Sequence, residues 1–273
     1  MPFSLRNSPV GGSHCLSQPN LIKSEWASQH DNRDRWRRSC QDQVTGPFEK
    51  RNARNLNNPE PKPPEHVRVH HRLREMILSG DLAPGQPVTI QGLVAMLGAG
   101  MTPVREAIRR LIAEGALQFQ GNRRVSVPIL SEAQIDELLF ARLALEPELV
   151  RRAAPLLTTA QIAGLNRIDD VLNQAIAGGD ITGYMMQNHR FHMTLYAASA
   201  SQVLLPLVEA LWLRAAPSLR VMCGRFGTRN LPDLHQQALA ALARGDGTAA
   251  GVAIAGDIRQ GMENVRAILR EKI

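Results

Sequence analysis

Apolar positions along this chain fall into two regimes. Through about residue 62 no apolar period is sustained, and the stretch is rich in Asn, Ser, Gln, Arg and Pro. It ends in NNPEPKPPE, which reads as an extended linker. Two readings of 1–62 stand: a flexible basic arm, or an over-long start to the reading frame. Beyond it, apolar residues recur at the three- and four-residue spacing of helices. Val69, Leu73, Met76 and Ile77 form one stripe and predict a helix over 65–79, stopped at Ser79-Gly80. The turn DLAPGQPV follows, with Pro84-Gly85 at its corner. Ile90, Leu93, Val94 and Leu97 mark a short second helix that ends at Gly98. A third helix is expected from Val104 to about Glu114, with Thr102 as its N-cap and Pro103 at its first position.

After Gly115 the period changes. ALQFQ and RVSVPI are short β-prone runs separated by Gly121-Asn122-Arg123, a hairpin signal. From Ser131 no strand pattern occurs, and helices are predicted over 132–153, 159–177, 181–199, 202–222, 232–244 and 247–271. The fold class that follows is mainly α. An N-terminal winged helix-turn-helix, three helices plus a β-hairpin wing, spans 63–130. An all-α antiparallel bundle spans 131–273.

Charge sharpens this division. The 273 residues carry a net charge of +7, with a pI near 10.0. Residues 1–60 hold nine basic and six acidic side chains, 61–130 nine and five, and 131–273 fourteen of each. The excess therefore lies in front of the bundle, as expected of a polyanion-binding module joined to a part with another task. Three widely spaced cysteines, Cys15, Cys40 and Cys223, argue against a disulfide framework and a Cys-based zinc finger, and fit a reducing, cytoplasmic setting. No apolar run reaches membrane-spanning length, and the N-terminus lacks the apolar core of a signal peptide. Aromatics at 4% are too few for a base-stacking platform.

The third helix is the expected reader of duplex DNA. Arg105, one turn in, can reach a guanine edge or a phosphate. Arg109 lies one turn further and is expected at the backbone. Thr102 at the helix N-terminus can donate to a phosphate. Arg123 and Arg124 sit at the wing tip, near the minor groove or adjacent phosphates. Any one of these arginines alone reads as an ordinary solvated helix face; together with the element order and the charge split they point to DNA.

These residues also carry a family resemblance. Gly80, Leu82, Pro84-Gly85, Leu93, Leu97-Gly98, Thr102-Pro103-Val104-Arg105-Glu106-Ala107, Leu111 and Glu114-Gly115 resemble the winged-helix domain of GntR-type bacterial transcription regulators. Two positions depart from that pattern. Gly100-Met101 stands where the family usually has Ser-Arg, which removes one expected DNA contact. Gln91 lies near a position where the family often has Arg or another polar residue.

In the helical half, Asn188 and His192 are four apart and share a helix face; His235 opens the fifth bundle helix and Asp257 lies midway along the sixth. Imidazole, carboxylate and amide oxygen at one depth would make a divalent-metal site with open positions. The stretches RLALEPELVRRAAPL, QNHRFHMTLYAASAS and LHQQALAALARGDGTAAGVAIAGDI resemble the FCD-type ligand-sensing domain of FadR-like GntR regulators. That family's metal set is an Asp, a His four residues on, a His opening a later helix and a final His about 22 residues beyond. His192 and His235 match; Asn188 replaces the Asp and Asp257 the final His. The resemblance thus implies a divalent metal (Zn, Mn, Ni or Mg), with the oxygen-richer set turning preference toward Mn or Mg. The alternative is that Asn188 and Asp257 meet a polar effector directly. Arg142 matches a family arginine and is either an effector-carboxylate clamp or an ion-pair partner of Glu146, four residues on. His189 is expected on another face. No organic cofactor is expected.

The resemblance implies a homodimeric transcription regulator, most often a repressor. It would bind palindromic operator DNA and respond to a small carboxylated metabolite held in the bundle. A rival is a metal-dependent enzyme using His192, His235 and Asp257 with an accessory nucleic-acid-binding arm. No HExxH helix, Gly-rich phosphate loop or Ser-His-Asp set supports it.

Overall fold

The structure is a computed structural model that describes residues 63–121, 124–226 and 234–270. The expected arm over 1–62 and the wing residue Arg123 lie outside the described residues.

Helix α1 spans Glu65–Leu78 and buries Val69, Leu73, Met76 and Ile77, the stripe that predicted it. Helix α2 spans Ile90–Leu97; the Thr89 hydroxyl accepts from the Gly92 N–H at its start, and Gly98 ends it in the left-handed conformation. Helix α3 spans Met101–Ala113 and buries Val104, Ala107, Ile108 and Leu111.

The start of α3 corrects the expected cap. Gly100, not Thr102, is the N-cap, so Thr102 and Pro103 are the second and third helical residues. Proline is tolerated there because first-turn N–H groups have no intrahelical acceptor in any case. The Gly100 N–H is met from outside, by Glu65 Oε1 of α1 at 3.3 Å.

Three strands close this unit: β1 Pro87–Val88, β2 Gln118–Gln120 and β3 Arg124–Ser126. The sheet order is β1-β3-β2, all antiparallel, with Val125 opposite both Val88 and Phe119. The hairpin matches expectation; β1 is additional. Two residues, one a proline, carry no period of their own, and the pairing with β3 alone defines the strand.

The bundle follows as α4 Glu132–Ala153, α5 Thr159–Gly178, α6 Ile181–Ala197, α7 Leu204–Phe226, α8 Leu234–Ala243 and α9 Gly247–Arg270. Local chemistry sets several starts. Ser131 with Gln134 and Thr158 with Gln161 form reciprocal capping boxes, and the Asp180 carboxylate accepts from the Gly183 N–H. Pro147 lies inside α4, which continues through it. There α9 comes close: a Cβ on Gly251 would stand 3.2 Å from the Pro147 carbonyl oxygen, so a larger residue would need the two helices to part by a few tenths of an ångström.

Two apolar cores result. One is built from Leu73, Ile77, Leu111, Leu117, Val127 and their neighbours in the winged helix. The other joins Ile135, Leu149, Leu165, Phe191, Leu195, Tyr196, Trp212 and Met262 in the bundle. Helix α7 contributes to both: Trp212 belongs to the bundle core, and the next residue, Leu213, is fully buried in the winged-helix core. Around Leu213 the contact is polar. Arg214 Nε donates to the Glu114 carbonyl at 3.0 Å. Arg74 bridges the carboxylates of Glu114 and Glu209 at 3.0 and 3.3 Å. Gly115, at φ +74°, leaves room for the Arg214 guanidinium, which a Cβ there would meet at 2.5 Å.

Candidate functional site

Burial of one face of α3 turns its other face outward. Arg105 and Arg109 are exposed at i and i+4. With Arg124 of β3 and the exposed ring of Phe119 they line a groove between the third helix and the wing. Thr102 is exposed but lies in a neighbouring depression with Glu65, His66, Pro103, Glu106 and Arg110. Of the residues singled out as DNA contacts, the fold thus brings Arg105, Arg109 and Arg124 together and sets Thr102 beside them. The groove presents three guanidinium groups and no carboxylate among its described lining residues, the charge expected of a surface that meets phosphates.

A second site is interior. A cavity of about 190 Å³ in the bundle is lined by residues that include Arg142, Asp169, Tyr184, Asn188, Trp212, His235, Asp257 and Gln260. At its edge His192, His235 and Asp257 bring one ligand atom each within 4.8 Å of one another. The two Nε2 atoms stand 3.2 Å apart, and Asp257 Oδ2 is 3.1 Å from His192 Nε2. Phe191 stacks on His235 at 4.0 Å and fixes the plane of its ring.

The hydrogen bonds behind these rings determine what faces the centre. Glu146, fully buried, accepts from Arg142 Nε at 2.5 Å, from the Tyr196 hydroxyl at 2.7 Å and from Trp212 Nε1 at 3.0 Å. Since Tyr196 donates its proton to Glu146, its oxygen must accept from His192 Nδ1, 2.8 Å away. Asp169, also buried, accepts from Gln236 and Asn173, and from His235 Nδ1 at 2.9 Å. Both imidazoles therefore hold a proton on Nδ1, and both Nε2 lone pairs point at the Asp257 carboxylate. Three acceptors that close together call for a cation between them. Two nitrogens each about 2.1 Å from one ion, at an angle near 100°, stand roughly 3.2 Å apart, which is the spacing found. The residues present fit a divalent metal, with carboxylate-backed histidines of the kind that orients such ligands.

Burial holds the His192 imidazole below its ordinary range against the pull of Asp257. Burial would raise the Asp257 carboxyl, but the facing His192 ring and the nearby His235 and Arg142 outweigh it and bring the group down to about 2. Asp169 likewise ends below the usual carboxylate range, its burial outweighed by the donors from His235, Gln236 and Asn173.

Arg142 satisfies both readings offered for it. Its Nε and Nη2 bind Glu146 and its guanidinium lies 4.4 Å over the Trp212 ring, yet it also lines the cavity. Asn188 lines the same cavity. His189 does not; it packs edge-on against Trp212 at 5.4 Å, and burial, with His192, Arg74 and Arg142 nearby, takes its pKa down to about 4. Sequence reasoning missed Asp169, Tyr184, Tyr196 and Trp212. Tyr184 precedes Asn188 by four residues, and that spacing could have marked it; the other three are tied to the site only by tertiary contacts.

Residues 66–127 match the family described as "Bacterial regulatory proteins, gntR family", and residues 137–260 match the FCD domain. The chain is 31% identical over 156 residues to the HTH-type transcriptional regulator McbR of Escherichia coli K12, covering 57% of this chain and 71% of that protein. It is 27% identical over 215 residues to the HTH-type transcriptional repressor RspR of the same organism, covering 77% and 93%. The solved structure of E. coli McbR/YncC superposes with a TM-score of 0.71 at 27% identity, over 76% of this chain and 99% of that one. Nothing in the family or these relatives supports the enzyme alternative; the relatives are transcriptional regulators. Helix by helix and across both cores, then, the chain belongs to the GntR family of bacterial transcription regulators, in the FadR-like group that carries an FCD domain.

Proposed function

We propose that the protein is a homodimeric, cytoplasmic repressor whose hold on a palindromic operator is released by a small carboxylated metabolite bound in the bundle cavity. Domain limits are proposed at 63–130 for the reader and 131–273 for the sensor. Arg105 is assigned to base edges, Arg109, Arg124 and Thr102 to phosphates. His192, His235 and Asp257 are assigned to a divalent metal, with Asn188 and the remaining N–H groups of Arg142 facing the effector. A bound metal there supplies positive charge for a carboxylate oxygen; the protein's own groups orient the ligand and exclude water around it. The observation that carries this reading is the convergence of two imidazole lone pairs and one carboxylate at the wall of a cavity.

Asn188 and Asp257 replace a carboxylate and an imidazole of the family pattern, and loss of a nitrogen ligand weakens zinc and nickel binding most. Purified protein is therefore expected to hold metal substoichiometrically and to lose it on dialysis, read by elemental analysis. A full, tight zinc complement would contradict this donor assignment. In gel shifts on the DNA upstream of the gene, His192→Ala with His235→Ala is expected to lose ligand-induced release while the ligand-free protein still binds. Undiminished release would remove the effector role from this cavity.

A further inference from the structure

The exposed face of α3 carries two rows of side chains. Thr102, Glu106 and Arg110 lie one turn apart and share a depression with the Glu65 carboxylate. Met101, Arg105 and Arg109 form the other row, at i, i+4 and i+8. All three are exposed, and the two arginines line the groove between the third helix and the wing. That groove has no carboxylate among its described lining residues, so this second row is the one suited to meet DNA. Met101 is the first residue of α3, at the end of a reading helix that contacts base edges.

Packing does not account for a methionine there. Met101 is 49% exposed and, among the described residues, belongs to neither apolar core. Single exposed apolar side chains are common, but this one has company: Phe119, 64% exposed, lines the groove with Arg105, Arg109 and Arg124. The surface that faces DNA thus offers apolar groups as well as guanidinium groups. The chemistry of a thioether decides which base it suits. It donates no hydrogen bond and accepts only weakly. Laid over the major-groove edge of guanine, adenine or cytosine, it strips water from polar groups and returns no partner. Thymine alone presents a methyl group on that edge. An unbranched, flexible side chain can bury that methyl, and the burial is favourable. Helix geometry limits where the thymine lies. Four helical residues rise about 6 Å and base pairs stack about 3.4 Å apart, so Met101 reaches about two base pairs at most from the one that Arg105 reads.

We infer that Met101 is a specificity-determining residue of the DNA reader and selects a thymine, through its C5-methyl group, close beside the guanine read by Arg105. This rests on the assignment of Arg105 to base edges and extends it. The test begins with selection of duplexes from a random library by the full chain. Each thymine of the selected half-site is then replaced in turn by deoxyuridine, which keeps every hydrogen-bonding group and lacks only the methyl. One thymine, beside the guanine whose enrichment Arg105→Ala abolishes, is expected to lose about 4-fold in affinity when so replaced, the effect of one buried methyl. In Met101→Ala the same replacement should be neutral, and selection should no longer enrich thymine at that position. Met101→Leu keeps an apolar side chain and should keep both effects. Met101→Arg should turn the enrichment from thymine to guanine. Thermal midpoints of these variants should match the parent, since the side chain packs into neither core.

The inference is overturned if deoxyuridine costs nothing at any thymine of the half-site, or costs Met101→Ala as much as it costs the parent. The reading beneath it fails differently: selection then returns no consensus, or one indifferent to Arg105→Ala. A consensus that keeps its Arg105-dependent guanine without any methyl dependence leaves α3 as the reader and removes Met101 alone.

Discussion

The reading face of α3 and the cavity of the bundle both depend on arginine, but they use it in opposite ways. Arg105, Arg109 and Arg124 stand exposed along a groove with no carboxylate among its described lining residues. Arg142 is 2% exposed and is held by Glu146 beneath Trp212. An exposed guanidinium keeps its hydration until a phosphate displaces it, so it adds little to folding and much to binding. A buried one must be matched on folding, and then has only an edge left for a ligand. One region is therefore tuned by salt and the other by complementarity of a few fixed groups.

The comparison breaks most visibly at Glu146. Glu146→Ala leaves the Arg142 charge buried and strips acceptors from Tyr196 and Trp212. It is expected to destabilise the chain by about 3–5 kcal/mol, measured by denaturant unfolding. Arg105→Ala makes the opposite test. Specific operator affinity should fall by about 10- to 100-fold, while the unfolding midpoint stays within error of the parent. Loss of stability equal to that of the Glu146 variant would place Arg105 in the fold and not in recognition. Smaller still, Arg109→Ala should weaken all duplexes alike and reduce the slope of log affinity against log salt by about 0.9.

The finest test concerns His70, a partly matched group between the two extremes. Burial holds its imidazole below the usual range despite its 2.9 Å contact with Glu114. The unfolded chain takes up a proton near pH 6.5 that the folded chain resists, so the stabilisation is complete above that pH and is lost as pH falls below it. Thermal midpoints between pH 7.5 and 5.5 should therefore decline less steeply in His70→Gln than in the parent.

Legibility in the sequence divided along similar lines. Helices α4 to α9 begin and end within a few residues of expectation because each carries its own stripe and its own punctuation, such as Ser131 with Gln134 and Gly179 after α5. The exposed arginines of α3 were readable from spacing alone, since nothing else determines where they point. Strand β1 was hidden because its definition lies in β3. The N-cap of α3 was misplaced because its donor is answered by Glu65, 35 residues earlier. His192, His235 and Asp257 could be named, but not the protons on their rings, which depend on Tyr196 and Asp169. Side chains that act through a partner distant in the chain leave no local period to read.

Leu213 has a last consequence, for the order of events at the ribosome. The DNA reader is completed by a residue synthesised 83 positions after Leu130, on a helix whose neighbouring residue walls the ligand cavity. A nascent chain that has emerged only as far as the wing still has an apolar gap in its core. Completion of the winged-helix core therefore waits on a residue of α7.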